Sequence, residues 1–297
     1  MNILVIGGTG LVGSHVVQGL VAKGEQVHVL TRSADKADVL PLGASGIIGD
    51  LHKPETLRWA MRGIDRVCLV TPLSPTETEE GLATVAAARR AGVRHLVYLS
   101  VYHVEQAPHI PHFKSKMEIQ KALRNSGMAF TLIMANNFFQ SDLVYRESIL
   151  EEGVYLQPIG DIGINRVDAR DIADAMVTTL TQTGHEFHCY PLIGVEALTG
   201  QDIADIYSRS LGREIRYGGN DLDVWGDKAR HTLPGWLVTD LRLMYEFFQH
   251  HGLRASEADF ALQAKVLGHL PRCFHTFVRE TVAAWMPDGH REYAKVE

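Results

Sequence analysis

Asn2-Ile3-Leu4-Val5-Ile6-Gly7-Gly8-Thr9-Gly10-Leu11-Val12-Gly13 is the stretch that decides the fold of this chain. Its first five residues form an apolar run of the kind that fills a buried parallel strand. The glycines then fall at G-x-x-G-x-x-G spacing, and Leu11, Val12, Val16, Val17, Leu20 and Val21 continue with helical periodicity. A second apolar run at 26–31 completes a strand–helix–strand unit. Each glycine has its own reason. Gly7 permits the tight turn, Gly10 lets the backbone approach a pyrophosphate, and Gly13 lets the helix lie close on the sheet. The helix start offers unpaired N–H groups and the positive end of its dipole. Gly7, Thr9, Gly10, Leu11, Val12 and Gly13 are therefore expected to hold the phosphates of a dinucleotide.

Outward from that turn, the first half of the 297-residue chain alternates short apolar runs with helical patterns. Strands are expected near 2–7, 26–31, 45–49, 66–71, 94–100 and 128–134, and helices near 11–23, 33–40, 54–62, 76–91, 112–126 and 137–151. Pro54 fits the first turn of its helix and Gly92 the end of another. Right-handed crossovers predict the strand order 3-2-1-4-5-6, with the ligand crevice between strands 1 and 4. The fold class is α/β: a doubly wound parallel sheet of Rossmann type with a smaller C-terminal substrate-binding lobe. A nucleotide-binding core is expected over 1–155. Residues 156–297 supply the remaining core elements and a mostly helical lobe, interleaved as a single compact unit.

In that second half, extended pieces near 153–158 and 164–167 lead to a helix at 169–180. A strand at 185–193, a helix at 199–211, a strand at 214–217 and helical stretches at 234–251, 256–267 and 272–285 follow. Trp225, Trp236, Tyr245, Phe247, Phe248, Phe260, Phe274, Phe277 and Trp285 cluster there. They read as the lobe's own core; the sharper alternative is that a few line an apolar pocket over the crevice.

Composition limits the partners. A net charge of −6 without any Lys/Arg run argues against nucleic acid and membrane surfaces. No apolar run reaches transmembrane length, and the first strand begins at residue 2, so a cytoplasmic protein is expected. Cys68, Cys189 and Cys273 lack metal-type spacing, and His103, His109 and His112 lie around Pro108 and Pro111 without acidic or cysteine ligands at regular intervals. No metal is expected, and no G-x-S-x-G elbow supports hydrolysis. The chain is expected to act as a monomer or homodimer.

The cofactor is read from the end of the second strand. A site selective for NAD usually places an acid there to bond the adenosine ribose. Here the strand ends Leu30-Thr31-Arg32-Ser33, with Lys36 one turn on. Arg32 offers a planar fork to a 2′-phosphate and Lys36 a second positive charge, so NADPH is expected. Asp50, beside Leu51 after the third strand, either accepts from the adenine amino group or helps start the helix at Pro54. Thr71-Pro72-Leu73 closes the fourth strand at the switch point and is expected to border the ribose and nicotinamide.

With Gly7–Gly13, Gly49-Asp50-Leu51 and the segment 112–137 in place, the chain resembles the NmrA-like branch of the atypical short-chain dehydrogenases. That branch includes NADPH-dependent quinone, azo-dye and triphenylmethane-dye reductases and redox-sensing regulators. The resemblance is strongest over 1–180. Lys116 to Thr131 looks like the family's segment from the lysine to the sixth strand, and Val167-Asp168-Ala169-Arg170-Asp171 like its later helix start. Typical short-chain dehydrogenases use a Tyr-x-x-x-Lys pair, yet none of the nine tyrosines here has lysine four residues later. The matching position reads His112-x-x-x-Lys116, which puts both side chains on one helix face. The resemblance implies that Lys116 binds the nicotinamide ribose. His112 is one candidate proton donor and Tyr102 the other; Ser100 occupies the superfamily's serine position. After the sixth strand the family's Arg-Pro is replaced by Met134-Ala135, ahead of Asn136, Asn137 and Phe138, of which an asparagine is expected on the carboxamide. The implied activity is flavin-free hydride transfer from NADPH to a small apolar, conjugated aromatic acceptor such as a quinone, azo compound or imine. The alternative is a non-catalytic NADP(H)-binding regulator.

Overall fold

The computed structural model describes residues 1–286, and the chain divides into two compact units. The first comprises Met1–Ala135, Ala169–Leu192 and Ala258–His269; the second comprises Asn136–Asp168, Ile193–Glu257 and the described residues from Leu270 to Met286. The chain leaves the first unit after Ala135 and returns to it twice.

In the first unit, β1 (Asn2–Ile6), β2 (Gln26–Thr31), β3 (Ala44–Ile48), β4 (Arg66–Leu69), β5 (His95–Val101) and β6 (Ala129–Ala135) are joined by a further strand, β8 (His188–Leu192). All pair in parallel, in the order β3-β2-β1-β4-β5-β6-β8. The expected order is therefore present and extended by one strand on the β6 side. The connecting helices are α1 (Leu11–Ala22), α2 (Ala34–Asp38), α3 (Pro54–Ala60), α4 (Glu77–Ala91), α5 (Pro111–Asn125) and α6 (Ala169–Thr181), with α10 (Glu257–Leu267) added late in the chain.

Strand alternation sends Leu4 and Ile6 into one cluster with Leu69, Tyr98, Ile119 and Leu123, beneath α3, α4 and α5. Ile3 and Val5 face the other side, where Val5, Val17 and Val29 close around Gly8. Each such fully buried aliphatic side chain contributes about 1.5–3 kcal/mol. Close helix contacts are built on small residues: Gly19 of α1 lies against Val177 of α6, and Gly81 of α4 against Ile119 of α5.

The second unit contains a two-stranded parallel ribbon, β7 (Val154–Tyr155) with β9 (Arg216–Tyr217), and helices α7 (Gly200–Leu211), α8 (Leu222–Ala229), α9 (Gly235–His251) and α11 (Phe274–Trp285). The helix expected at 137–151 is instead a 3₁₀ segment, Phe139–Tyr145, followed by a π-turn, Ser148–Glu152. The cause is Arg166, whose Nη2 draws on the Phe138 and Phe139 carbonyls, while the Phe139 N–H donates to Val167 O. Carbonyls that an α-helix starting here would use are thus shared with a side chain, while Phe138 O still accepts from the Ser141 N–H. In the extended piece at 164–167, Ile164 and Val167 form isolated bridges. Helix α8 was not expected; the Asp221 carboxylate caps it, accepting from the N–H groups of Asp223 and Val224. Trp225, Tyr245, Phe247, Phe248, Phe274 and Phe277 are buried, and edge-on contacts such as Trp225–Tyr245 at 4.9 Å join them as core. Among the described residues, no helix is long and apolar enough to cross a membrane.

Candidate active site

At the C-terminal ends of β1, β2 and β4 the first unit opens a cleft of about 590 Å³. One wall is the glycine turn. Gly7 has φ +80°, where an L side chain is strained, and a Cβ there would strike the Val70 carbonyl oxygen. A Cβ at Gly13 would strike the Gly7 carbonyl oxygen, so α1 packs on the turn only because Gly13 has none. A Cβ at Gly10 would meet one atom, Gly7 O at 3.3 Å, so this glycine keeps the cleft side open. Gly10 caps α1 without a side-chain hydrogen bond, and no acid stands in the first turn. Thr9 lines the cleft; Leu11 is exposed, whereas Val12 is buried. A bare helix start behind a side-chain-free turn fits a diphosphate.

The opposite wall carries Thr31, Arg32, Ser33 and Lys36. Ser33 Oγ accepts from the Lys36 N–H and caps α2, while Thr31 Oγ1 accepts from the Ser33 N–H. The Arg32 and Lys36 side chains are exposed on the cleft, so this end fits a phosphate monoester. Asp50 and Leu51 line the same end, and Asp50 Oδ1 accepts from the His52 N–H at 3.0 Å, the turn-forming role.

Thr71 and Pro72 border the cleft beyond β4, with Leu73 exposed next to them. Behind Thr71 lies a buried charged cluster. Lys116 Nζ donates to Thr71 Oγ1 at 2.8 Å and to Leu99 O at 3.3 Å, and it meets Glu77 Oε1 at 2.7 Å. The Thr71 hydroxyl donates to the same Glu77 oxygen at 2.6 Å. Burial works against the Lys116 charge, but Tyr98 and Glu77 outweigh it, and the ammonium is held above the ordinary lysine pKa. Burial likewise keeps the Tyr98 phenol protonated. Ser100 is buried one strand-turn away and accepts from Gln120 Nε2 at 2.8 Å.

His112 is half-buried one helical turn before Lys116, edge-on to Phe113 at 4.7 Å. Tyr102 is buried, and its hydroxyl donates to Asp259 Oδ2 at 2.8 Å. Burial, reinforced by that carboxylate, pushes the Tyr102 pKa well up, so its proton is tightly held. Asn136, Asn137 and Phe138 belong to the second unit. There Asn136 Nδ2 donates to Leu253 O and its Oδ1 accepts from the Asn137 N–H, while Asn137 Oδ1 accepts from Arg166 Nε. The Asn136 amide, one of the two expected on a carboxamide, is thus engaged at both ends within its own unit.

Sequence reasoning missed Glu77 and Arg166. Glu77 sits in a helix-start trio with Glu79 and Glu80 that reads as a solvated first turn. Arg166 is fully buried and pairs with Asp142 at 2.8 Å, inside a network that includes Tyr155 and Tyr207. Burial opposes its charge, and Asp142 more than restores it.

The chain is 39% identical over 236 residues to the NAD(P)H azoreductase of Xenophilus azovorans, covering 78% of this chain and 80% of that protein. It is 37% identical over 291 residues to the (4-alkanoyl-5-oxo-2,5-dihydrofuran-3-yl)methyl phosphate reductase of Streptomyces griseus, covering 96% of this chain and all of that one. A solved structure of an NADPH-dependent quinone oxidoreductase complexed with NADPH, from Escherichia coli, superposes with a TM-score of 0.86 at 24% identity, over 94% of this chain and 99% of its own. The profile of the NmrA-like family matches residues 1–277, and the chain belongs to that family.

Proposed function

We propose that the protein is an NADPH-dependent reductase that passes hydride, without flavin, to an electron-poor conjugated acceptor: a quinone, an azo compound or an imine-like compound. The observation that carries this reading is the cleft itself, which runs from the uncapped start of α1 to Arg32 and Lys36 with no carboxylate closing β2. Two relatives above one-third identity, both reductases by name, support it. Their named substrates, an azo compound and a dihydrofuranone bearing an alkanoyl group, are both conjugated π systems.

The bound coenzyme supplies a hydride from C4 of its nicotinamide. The remaining work falls to the chain. The glycine turn and first N–H groups of α1 hold the diphosphate, and Arg32 with Lys36 hold the 2′-phosphate. Thr71 and Pro72 border the ribose side, with the Lys116 ammonium one hydrogen bond behind Thr71. His112 is assigned as the proton donor, because the Tyr102 proton is committed to Asp259.

The test is loss of NADPH absorbance when purified protein meets a panel of quinones, azo dyes, imines and activated enones. Turnover with at least one class is expected, with NADH a poorer donor. Tight binding of both NADP+ and NADPH with no turnover on any member would replace the reductase by the regulator.

A further inference from the structure

The charged cluster behind Thr71 asks for more than the proposed chemistry uses. Lys116 has three N–H bonds, and three protein acceptors take them: Thr71 Oγ1, Leu99 O and Glu77 Oε1. The Glu77 side chain is 1% exposed, on the first turn of α4. Among the described residues its second oxygen, Oε2, meets no hydrogen-bond partner. Native proteins rarely leave buried polar atoms unpaired, and a half-satisfied carboxylate is costly to keep. A buried acid held against a lysine from another helix is therefore read through what it does to that neighbour.

We propose that Glu77 is a positioning residue for the reductase site: it is the counter-ion that keeps Lys116 charged and fixes the ammonium against Thr71 at the cofactor cleft. The proposal rests on the reductase reading above. Its geometry is a closed triangle in which the Thr71 hydroxyl accepts from Lys116 and donates to Glu77, so each member orients the other two. The titratable groups facing the ammonium are Glu77 from α4 and Tyr98 from β5, whose ring centroid lies 5.3 Å from Nζ. Glu80, one turn along α4, is engaged by His52 at 3.0 Å, and His112 stands one turn away on the same helix as Lys116. Glu77 is thus the anion within contact distance of Nζ among the groups described. Without it, burial acts on the lysine with only the neutral phenol of Tyr98 in opposition, and the ammonium gives up its proton at a lower pH.

The experiment measures NADPH affinity by calorimetry from about pH 6 to about pH 9 for the wild type, Glu77→Asp and Glu77→Gln. The wild type, with its ammonium held charged throughout, should be flat with respect to this group. In Glu77→Gln the dissociation constant should match at the acid end and then rise roughly tenfold per pH unit once the lowered lysine pKa is passed. Glu77→Asp, which keeps the charge at a shorter reach, should lie between. A flat profile for Glu77→Gln, or an equal loss at every pH, overturns the proposal, since a merely structural glutamate would give either.

Thermal melting provides a second readout that needs no cofactor. Glu77→Gln strands a buried ammonium, so adding Lys116→Met should raise the melting temperature above that of Glu77→Gln alone, or restore folding if the single variant does not fold. A double variant that melts no higher, or fails to fold as the single one does, overturns the coupling. If the wild type binds no NADPH, the reductase reading falls, and the melting comparison still decides whether Glu77 serves Lys116.

Discussion

Arg32 stands where the second strand ends and the cleft begins, with its side chain exposed on the cleft wall. Hydrogen bonds to a charged group contribute about 1.5–3 kcal/mol, so Arg32→Asp should weaken NADPH binding by roughly ten- to a hundredfold, with repulsion added to the loss. NADH, which lacks the 2′-phosphate, should change by no more than about threefold. Calorimetry with both coenzymes decides it: equal losses would move the phosphate away from Arg32. Arg32 and Thr71 could be placed from sequence because a strand end is fixed by pattern, whereas Lys116, inside a helix, was singled out by the family resemblance. Glu77 was not, since an acid at a helix start looks the same whether it faces solvent or turns under toward a lysine from another helix. Arg166 left no trace either. Between Asn165 and Val167 it has no periodicity to place it, and its burial is explained by partners met only in the fold, Asp142 and the carbonyls of Phe138 and Phe139.

Among the elements, α1 shows why the glycine turn reads so clearly. Its approach to the sheet is set by one missing Cβ, because the Gly13 position faces the Gly7 carbonyl directly. Gly13→Ala must push helix and turn apart, at a cost of about 1–3 kcal/mol, and should weaken NADPH binding by shifting the first-turn N–H groups. Gly235, in α9 of the second unit, is the control, since a Cβ there meets nothing within 4 Å. Gly235→Ala should be neutral or stabilising by about 0.4–1 kcal/mol. Urea midpoints for the two variants test this, and a Gly13→Ala protein as stable as Gly235→Ala would remove the close-packing argument. Parallel strands and their helices were legible because burial on two faces leaves long apolar runs. The segment 137–151 misled for a related reason: 3₁₀ and π turns space their apolar residues much as an α-helix does, and the deviation is dictated by Arg166, which lies far along the chain.

On the scale of the whole molecule, the division at Ala135 was not legible, because nothing in composition marks a chain that leaves a unit and returns to it twice. The added strand β8 was expected as a strand but not as the sheet's seventh member. That strand follows a polar knot that makes stability depend on pH. Thr131 spends its hydroxyl proton on His185 O at 2.6 Å, so His95 Nε2, at 2.9 Å from Thr131 Oγ1, must be the donor between them. Its Nδ1 is then bare and has no partner. A proton there would be buried without an acceptor, and burial, aided by the Arg66 charge, depresses the His95 pKa to about 4. The unfolded chain takes up that proton near its ordinary value of about 6.5, so the folded state binds fewer protons between the two values. The stabilisation is complete above the unfolded pKa and is lost as pH falls toward the folded one, amounting to about 3 kcal/mol over the full window and about 2 kcal/mol by about pH 5. His95→Gln keeps a donor for Thr131 but has nothing to titrate. Urea unfolding at about pH 7.5 and about pH 5 should therefore show the wild type losing about 2 kcal/mol more than His95→Gln across that interval, with His185 and the carboxylates common to both. Parallel declines would mean that His95 takes its proton in the folded protein as readily as in the unfolded chain, and that the knot beside β8 is open to water.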